Sequence, residues 1–348
     1  MKDEIGWSFV AMKGCKEVVS RHEGFSDRHR MKVWTEKTIA PVWSATKGPM
    51  SVCVLIALHR IGMNGKSLVE GVWPELKTGC LTFDEMFSHQ GGYAALHEKA
   101  SIWDRKAVIA SLENQDPLWA VGTHGYHPRT IGFLADEIVR RIDGRPLGQF
   151  WREEIAEPEE IDFWIGLPEE QFSRVAELVP ARLSKSGEPK PFYEALLTKD
   201  SLTRRAFSSP SDLAGVSEMN QPRAWQAGFP AMGGVGSALG LAKFYDWVLR
   251  QEFLEELIKP RIKGLDEIQR IENSFGFGVM LGLGPNRDCF GHPGAGGSYG
   301  FANVETGMSY AFVMNHFESN LFPNKERLDL VLSLLARSSQ LGFKVDFH

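Results

Sequence analysis

Between Thr130 and Ile142, apolar side chains fall at Ile131, Leu134, Ala135, Ile138, Val139 and Ile142. That is the i, i+3, i+4, i+7 rhythm of one helical face, and Asp143-Gly144 supplies the stop. The spacing predicts the clearest helix of the chain. A second helix is predicted from about Ser44, with Val52, Leu55, Ile56 and His59 at helical spacing before Gly62. Thr82 to Ser88 reads as a short helix, and Ser237 to Leu249 as another with Ser237 as its cap. A terminal amphipathic helix from about Lys325 to Ser338 carries Leu328, Val331, Leu332 and Leu335 on one side.

The two ends of the chain read differently. Trp7-Ser-Phe-Val-Ala-Met and Glu17-Val-Val-Ser are β-prone runs either side of Lys13-Gly14-Cys15-Lys16, which predicts a hairpin. After about residue 274, three segments alternate with Gly-bearing turns as further strands: Phe275 to Leu281, Tyr299 to Val304 and Met308 to Met314. Strands open the chain, helices fill the middle, and strands plus one helix close it. This order predicts an α+β fold, not the alternating units of a doubly wound sheet. It also predicts one composite domain over 1–348, with an α/β part from about 1–43 and 274–348 and a mostly helical part from about 44–273. The stretch 183–191, LSKSGEPKP, reads as a surface loop that could rim a cleft.

Composition narrows the class. The chain has 348 residues, 43% hydrophobic and 24% charged, which suits a globular protein with a large core. A net charge of -5 without a Lys/Arg stripe gives no footprint for nucleic acid; Arg140-Arg141 and Arg204-Arg205 read as solvated faces. Val52 to Leu58 is too short to span a bilayer, so no membrane partner is expected. Asp3 and Glu4 stand where a secretory signal would begin its apolar run, so the expectation is cytoplasmic residence. Cys15, Cys53, Cys80 and Cys289 form no C-x-x-C and read as free thiols. His124-Gly-Tyr-His127 is H-x-x-H without a companion acid or thiol at ligand spacing, so neither a metal nor another cofactor is expected. Gly62 to Ser67 echoes a P-loop but has Arg60 where the first glycine belongs, and reads as a helix-ending turn.

Two serines compete for chemistry. Gly296-Gly297-Ser298-Tyr299-Gly300 is a literal G-x-S-x-G, but an elbow serine needs a helix after it. The residues after Ser298 read as strand, turn and strand, so its glycines suit a close-packed strand entry and Ser298 a bystander. Trp43-Ser44-Ala45-Thr46-Lys47 offers S-x-x-K at the start of an apolar helix. Spacing i, i+3 sets the Lys47 amine beside the Ser44 hydroxyl, where it could take the proton once burial lowers its pKa. On its own, the pair reads first as a capping serine with a solvated lysine one turn on.

Two further segments change that balance. Ser44-Ala-Thr-Lys47-Gly is followed by Leu81-Thr-Phe-Asp-Glu-Met-Phe-Ser-His89-Gln-Gly-Gly92, then by Gly122-Thr-His-Gly-Tyr126-His127-Pro-Arg-Thr-Ile-Gly and Arg145-Pro-Leu-Gly-Gln-Phe. Gly291-His292-Pro293-Gly294-Ala295-Gly296-Gly297 comes last. In this order the chain resembles the serine β-lactamase and penicillin-binding-protein superfamily, in its class C-like branch, and most of all the family VIII carboxylesterases. The resemblance runs from about residue 7 to 340. It implies an active site in a cleft between the sheet and the helical part. Ser44 would be the acylated nucleophile and Lys47 its proton acceptor. Tyr126, which alone reads as a buried structural tyrosine, would share the relay, protonate the leaving group and activate the deacylating water. The N–H groups of Ser44 and Ala295 would form the oxyanion hole. His292, Gly294, Trp43 and His127 would meet the substrate. Apart from the resemblance, the ten tryptophans suit a core, though Trp43, beside Ser44, and Trp225 could line an acyl pocket.

The departures from that branch bear on the substrate. Pro128 replaces the asparagine of Tyr-x-Asn, and His292 stands where a lysine faces the carboxylate of a β-lactam. A histidine near neutral pH is mostly uncharged. Both changes favour a neutral, short-chain ester as the small-molecule partner. A β-lactamase or D-Ala amidase or acyltransferase on the same site is the alternative, and a non-catalytic binding relative is the rival of another class. The chain also begins almost on its first strand, where family members carry a helix. Either that helix is lost, or a partner subunit such as a second copy covers the surface.

Overall fold

A computed structural model describes residues 5–180, 191–284, 287–317, 327, 329, 330 and 333. Its frame is an eight-stranded antiparallel sheet. The strands, numbered in chain order, are β1 (Gly6–Lys13), β2 (Lys16–Gly24), β7 (Ile262–Leu265), β8 (Glu272–Phe275), β9 (Met280–Leu283), β10 (Cys289–Pro293), β11 (Tyr299–Asn303) and β12 (Met308–Met314), and they lie in the order β2-β1-β12-β11-β10-β9-β8-β7. A small sheet joins β3 (Ala40–Pro41), β6 (Gly234–Gly236) and β4 (Phe163–Ile165) in that order, and β5 (Val179–Pro180) pairs with β13 (His316–Phe317).

The hairpin forms where expected, because Gly14 and Cys15 both take positive φ (55° and 66°). That two-residue turn matches the right-handed twist of the strands it joins. Every residue of β10, β11 and β12 is buried, so the sheet is covered on both faces. One cover is the helix Ala238–Val248, capped by Ser237, whose Oγ accepts the Gly240 N–H at 3.0 Å. It packs on β1, β11 and β12.

The helix Lys47–Arg60 is buried along nearly its whole length and packs against the helices Thr130–Asp143 and Leu147–Trp151. Gly144, at φ 90°, closes Thr130–Asp143 in the left-handed cap that its sequence announced. The short helix Phe83–Phe87 is started by a complete capping box between Thr82 and Glu85.

Two expectations change. The sheet reaches upstream of position 274, since β7 starts at Ile262 and β8 at Glu272. The segment read as one strand from Phe275 to Leu281 is broken, because Gly278 turns at φ 69° and lies so close to Ser51 that a Cβ would sit 1.9 Å from its Oγ. The loop 183–191 lies outside the described residues apart from Pro191, as does the helix expected over 325–338 apart from isolated positions. One of those, Arg327, is fully buried and donates to the Gly296 and His316 carbonyls at 2.8 and 3.1 Å. The four cysteines are free, with Cys53 and Cys289 buried. No helix among the described residues is long and apolar enough to cross a membrane.

Candidate active site

Ser44 opens a 3₁₀ turn, Ser44–Thr46, that runs straight into the helix Lys47–Arg60. Trp43, just before it, sits at φ 50°, ψ -130°. An aromatic residue held at positive φ is a strained position maintained by its surroundings. Those surroundings are a bridge from Trp43 to Gly233 and a bond from the Val42 N–H to the Gly234 carbonyl at 2.9 Å.

Lys47 is fully buried, with no carboxylate among its contacts. Its Nζ stands 3.2 Å from Ser44 Oγ and 2.9 Å from each of the Pro128 and Ala231 carbonyl oxygens. Burial without a counter-charge holds its pKa well below the ordinary lysine value. A neutral amine has two N–H bonds and one lone pair, and this cage offers two carbonyls and one hydroxyl. The match leaves the lone pair for the Ser44 proton.

The Tyr126 ring lies 4.9 Å from Lys47 Nζ. Its hydroxyl interacts with the Ser44 side chain and stands 3.4 Å from His292 Nε2. His292 Nδ1 is 2.7 Å from the Pro293 carbonyl, so Nδ1 carries the proton and Nε2 is left to accept from the Tyr126 hydroxyl. Burial, and then the nearby Lys47, push the His292 pKa down to about 3, so the ring is neutral across the physiological range. Burial raises the Tyr126 pKa, which keeps its hydroxyl a phenol.

Gly294 ends β10 against the chain that precedes the serine. A Cβ there would stand 2.0 Å from the Val42 carbonyl oxygen, so only glycine allows the approach. The next residue, Ala295, shares with Ser44 the wall of one cavity of about 390 Å³. Neither the Ser44 nor the Ala295 backbone N–H is engaged by a described residue. The wall is otherwise mostly apolar, with Trp43, Phe192, Phe207, Leu213, Met232 and Phe317 among its members, and Arg129 the one charged residue among the described residues that line it.

The residues expected to meet the substrate separate here. Trp43 is in the wall, but His292, Gly294 and His127 are not. His292 backs Tyr126, and Gly294 serves close approach. His127 is buried with both ring nitrogens on backbone groups: Nε2 takes the Tyr93 N–H at 2.8 Å and Nδ1 meets the Gly125 carbonyl at 2.7 Å. It braces the loop and does not face the cavity. Trp225, read as pocket-lining, instead packs on Phe172 and donates to the Met219 carbonyl. Ser298 is buried in the turn between β10 and β11, where its Oγ accepts the Met314 N–H at 3.4 Å.

Two residues behind the site escaped sequence reasoning. Asp266, fully buried, accepts the N–H groups of Tyr126, Ile268 and Gln269. His89, left-handed at φ 67°, accepts the His127 N–H at 3.2 Å and packs edge-on against Tyr126 at 4.8 Å between ring centres. Nothing local in the sequence marks either role. Among the described residues, no group of three or more His, Cys, Asp or Glu is arranged to hold a metal ion.

With this geometry in view, the likenesses to known proteins are informative. The beta-lactamase family model matches residues 1–333. The esterase/beta-lactamase LipL of Mycobacterium tuberculosis is 28% identical over 329 residues, spanning 87% of this chain and 75% of that protein. A penicillin-binding protein homolog from Caulobacter crescentus has a TM-score of 0.82 at 30% identity, over 96% of this chain and 93% of its own. A family VIII carboxylesterase has a TM-score of 0.84 at 27% identity, over 97% of this chain and 93% of its own.

Proposed function

The chain belongs to the beta-lactamase family, as one of its serine hydrolases, and on that footing we propose that it cleaves neutral, short-chain carboxylic esters through an acyl-enzyme on Ser44. The observation that carries this is the Ser44–Lys47 pair: a hydroxyl 3.2 Å from a buried amine that has no counter-ion and two carbonyls to occupy its N–H bonds.

In the proposed cycle the neutral Lys47 takes the Ser44 proton as Oγ attacks the ester carbonyl. The N–H groups of Ser44 and Ala295 receive the oxyanion. Tyr126, kept a phenol by burial, protonates the departing alkoxide and is refilled from Lys47. Water then enters along the same path: Tyr126 and Lys47 accept its proton, hydroxide attacks the acyl carbonyl, and Ser44 leaves with a proton restored. The scheme uses no cofactor.

The substrate class follows from the cavity and from His292. Among the described residues the wall is mostly apolar with Arg129 its one cation, and His292, a neutral imidazole behind Tyr126, supplies no ammonium there for the carboxylate of a β-lactam. Kinetics on p-nitrophenyl acetate and butyrate against nitrocefin test the class; a clear nitrocefin preference would overturn it. Labelling with a fluorophosphonate followed by peptide mass spectrometry tests the site. Label is expected on the Ser44 peptide and absent from Ser44→Ala. Label on the Ser298 peptide, or no label with no ester turnover, refutes the assignment, and the latter supports a non-catalytic relative.

A further inference from the structure

Behind the wall of the active-site cavity lies a second cavity of about 530 Å³. Arg129 and Met232 belong to both walls, while Ser44 lines only the first. The second cavity has a different chemistry. Arg105, Arg129, Arg140 and Arg152 line it, and Asp136 is the one carboxylate among the described residues of its wall.

That carboxylate is already saturated. Asp136 Oδ2 accepts Nε of Arg105 at 2.9 Å and Nε of Arg140 at 2.7 Å, and Oδ1 accepts the Leu147 N–H at 2.9 Å. Arg105 is also ion-paired to Glu137, so it is Arg140 whose one described carboxylate is shared with another guanidinium. Arg140 spends only Nε in this way, and its terminal amino groups meet no described residue. Arg152 is held loosely, 3.6 and 3.3 Å from Glu153 and Glu157.

Arg129 is more unusual. It is 5% exposed, its amino groups reach only the Phe207 and Asp212 carbonyls, and its Nε is buried without a partner. No described carboxylate bonds to it; Glu218 and Asp212 act on it only at a distance, and burial lowers its pKa to about 10. Three aromatic rings join the wall, with Trp103 and Phe133 both against Phe229, at 5.3 and 6.3 Å between ring centres. Guanidinium groups with spare N–H donors favour planar anions, and flat apolar walls favour a ring or short hydrocarbon body.

We propose that this second cavity is a binding site for an organic anion, a carboxylate carried on an aromatic or short apolar body. Such a ligand would place its carboxylate among the arginines and its body against Trp103, Phe133 and Phe229. It would lie back to back with the active-site cavity, across the segment whose Ala231 carbonyl holds Lys47.

Calorimetric titration with 2-naphthoate tests the proposal, with 2-naphthamide as the uncharged isostere. Naphthoate is expected to bind at one site about tenfold or more tightly than the amide, the worth of a charge-assisted bond. Ala227→Trp fills the second cavity from an exposed position, and Arg140→Gln removes a spare donor; each should weaken naphthoate about tenfold. Ala214→Trp, on the wall of the active-site cavity alone, should leave it unchanged. Thermal melts check that each variant folds, and Ala227→Trp suffices should Arg140→Gln fail to. The site is refuted by no saturable binding to the wild type, by equal binding of the amide, or by binding that survives Ala227→Trp but is lost in Ala214→Trp. Displacement of naphthoate by sulfate at equal affinity would reduce the cavity to an inorganic-anion site and overturn the organic assignment.

Discussion

Asp266 grips the backbone N–H of Tyr126 with both carboxylate oxygens, at 3.1 and 3.0 Å, across 140 positions of sequence. The same carboxylate takes the Ile268 and Gln269 N–H groups at 2.8 and 2.7 Å. It therefore fixes the height of Tyr126 from a distant loop without touching the cavity. Asp266→Ala would leave three buried donors unpaired, at a cost of about 2–5 kcal/mol. We expect a lowered Tm together with a fall in kcat of about tenfold or more, and Asp266→Asn should recover part of both. An unchanged Tm in Asp266→Ala would show that the grip is dispensable.

Lys47 makes stability depend on pH in a definite direction. Its folded pKa lies below the unfolded one, so in the window between them the unfolded chain binds a proton that the folded chain does not. Stability therefore rises with pH in that window, by about 1.4 kcal/mol per unit, and levels off near pH 10.4. Lys47→Met removes this slope. Denaturant unfolding of both proteins at several pH values measures it, and parallel curves would refute a neutral Lys47. For activity, the acid limb of kcat/KM should fall at a pH below that of a free lysine.

His292 acts in the acid range. Its folded pKa of about 3 lies below the ordinary histidine value, so unfolding takes up a proton between about pH 6.5 and 3. Its contribution is intact above that window and is lost as the pH falls through it. His292→Gln should lower the proton uptake on unfolding near pH 5 by about one. The slope of unfolding free energy against pH reports this number directly, and an unaltered slope would mean that His292 is charged in the folded protein.

Gly294 is the residue where a single methyl group should matter most. An alanine there meets the Val42 carbonyl and has to push β10 away from Ser44. Ala295 should move with it, so one donor of the proposed oxyanion hole would be lost, at a cost of about 10²–10³ in kcat. Far-UV circular dichroism should be unchanged, since only the end of one strand moves. Full activity in Gly294→Ala would exclude Ala295 from the oxyanion hole.

Tyr126→Phe keeps the ring and its stack on Phe275 but deletes the hydroxyl beside Ser44 and His292. The expected loss in kcat is about 10²–10⁴, with little change in Tm. Burst kinetics with a p-nitrophenyl ester would show which half of the reaction suffers; an undiminished steady-state rate would remove Tyr126 from the relay.

What could be read in advance depended on how local each cause was. The helices Phe83–Phe87, Thr130–Asp143 and Ala238–Val248 carry their caps and their apolar faces within a few residues. The hairpin carries its turn in Gly14 and Cys15. The break at Gly278 was invisible because its cause, Ser51, lies far upstream. Strands of two or three residues, such as β3, β4 and β6, are too short to show a period. The same rule divides the site. Ser44 and Lys47 are three apart and announced themselves, whereas Asp266 and His89 reach Tyr126 and His127 only through the fold. His127 adjoins Tyr126, but its ring nitrogens meet the Tyr93 N–H and the Gly125 carbonyl, partners that its sequence neighbourhood does not announce.

The cage around Lys47 has a consequence for the life of the protein before it is finished. Its two carbonyls come from Pro128 and Ala231, 81 and 184 positions away, so three remote stretches must converge before the amine loses its solvent. Until then the side chain is an ordinary hydrated ammonium and Ser44 an ordinary alcohol. On the proposed mechanism, a nascent or partly unfolded chain would be chemically silent, with reactivity arriving only at the last long-range closure. Completion of the fold would itself arm the proposed nucleophile, which would spare a newborn hydrolase from attacking substrate, or its own neighbours, too early.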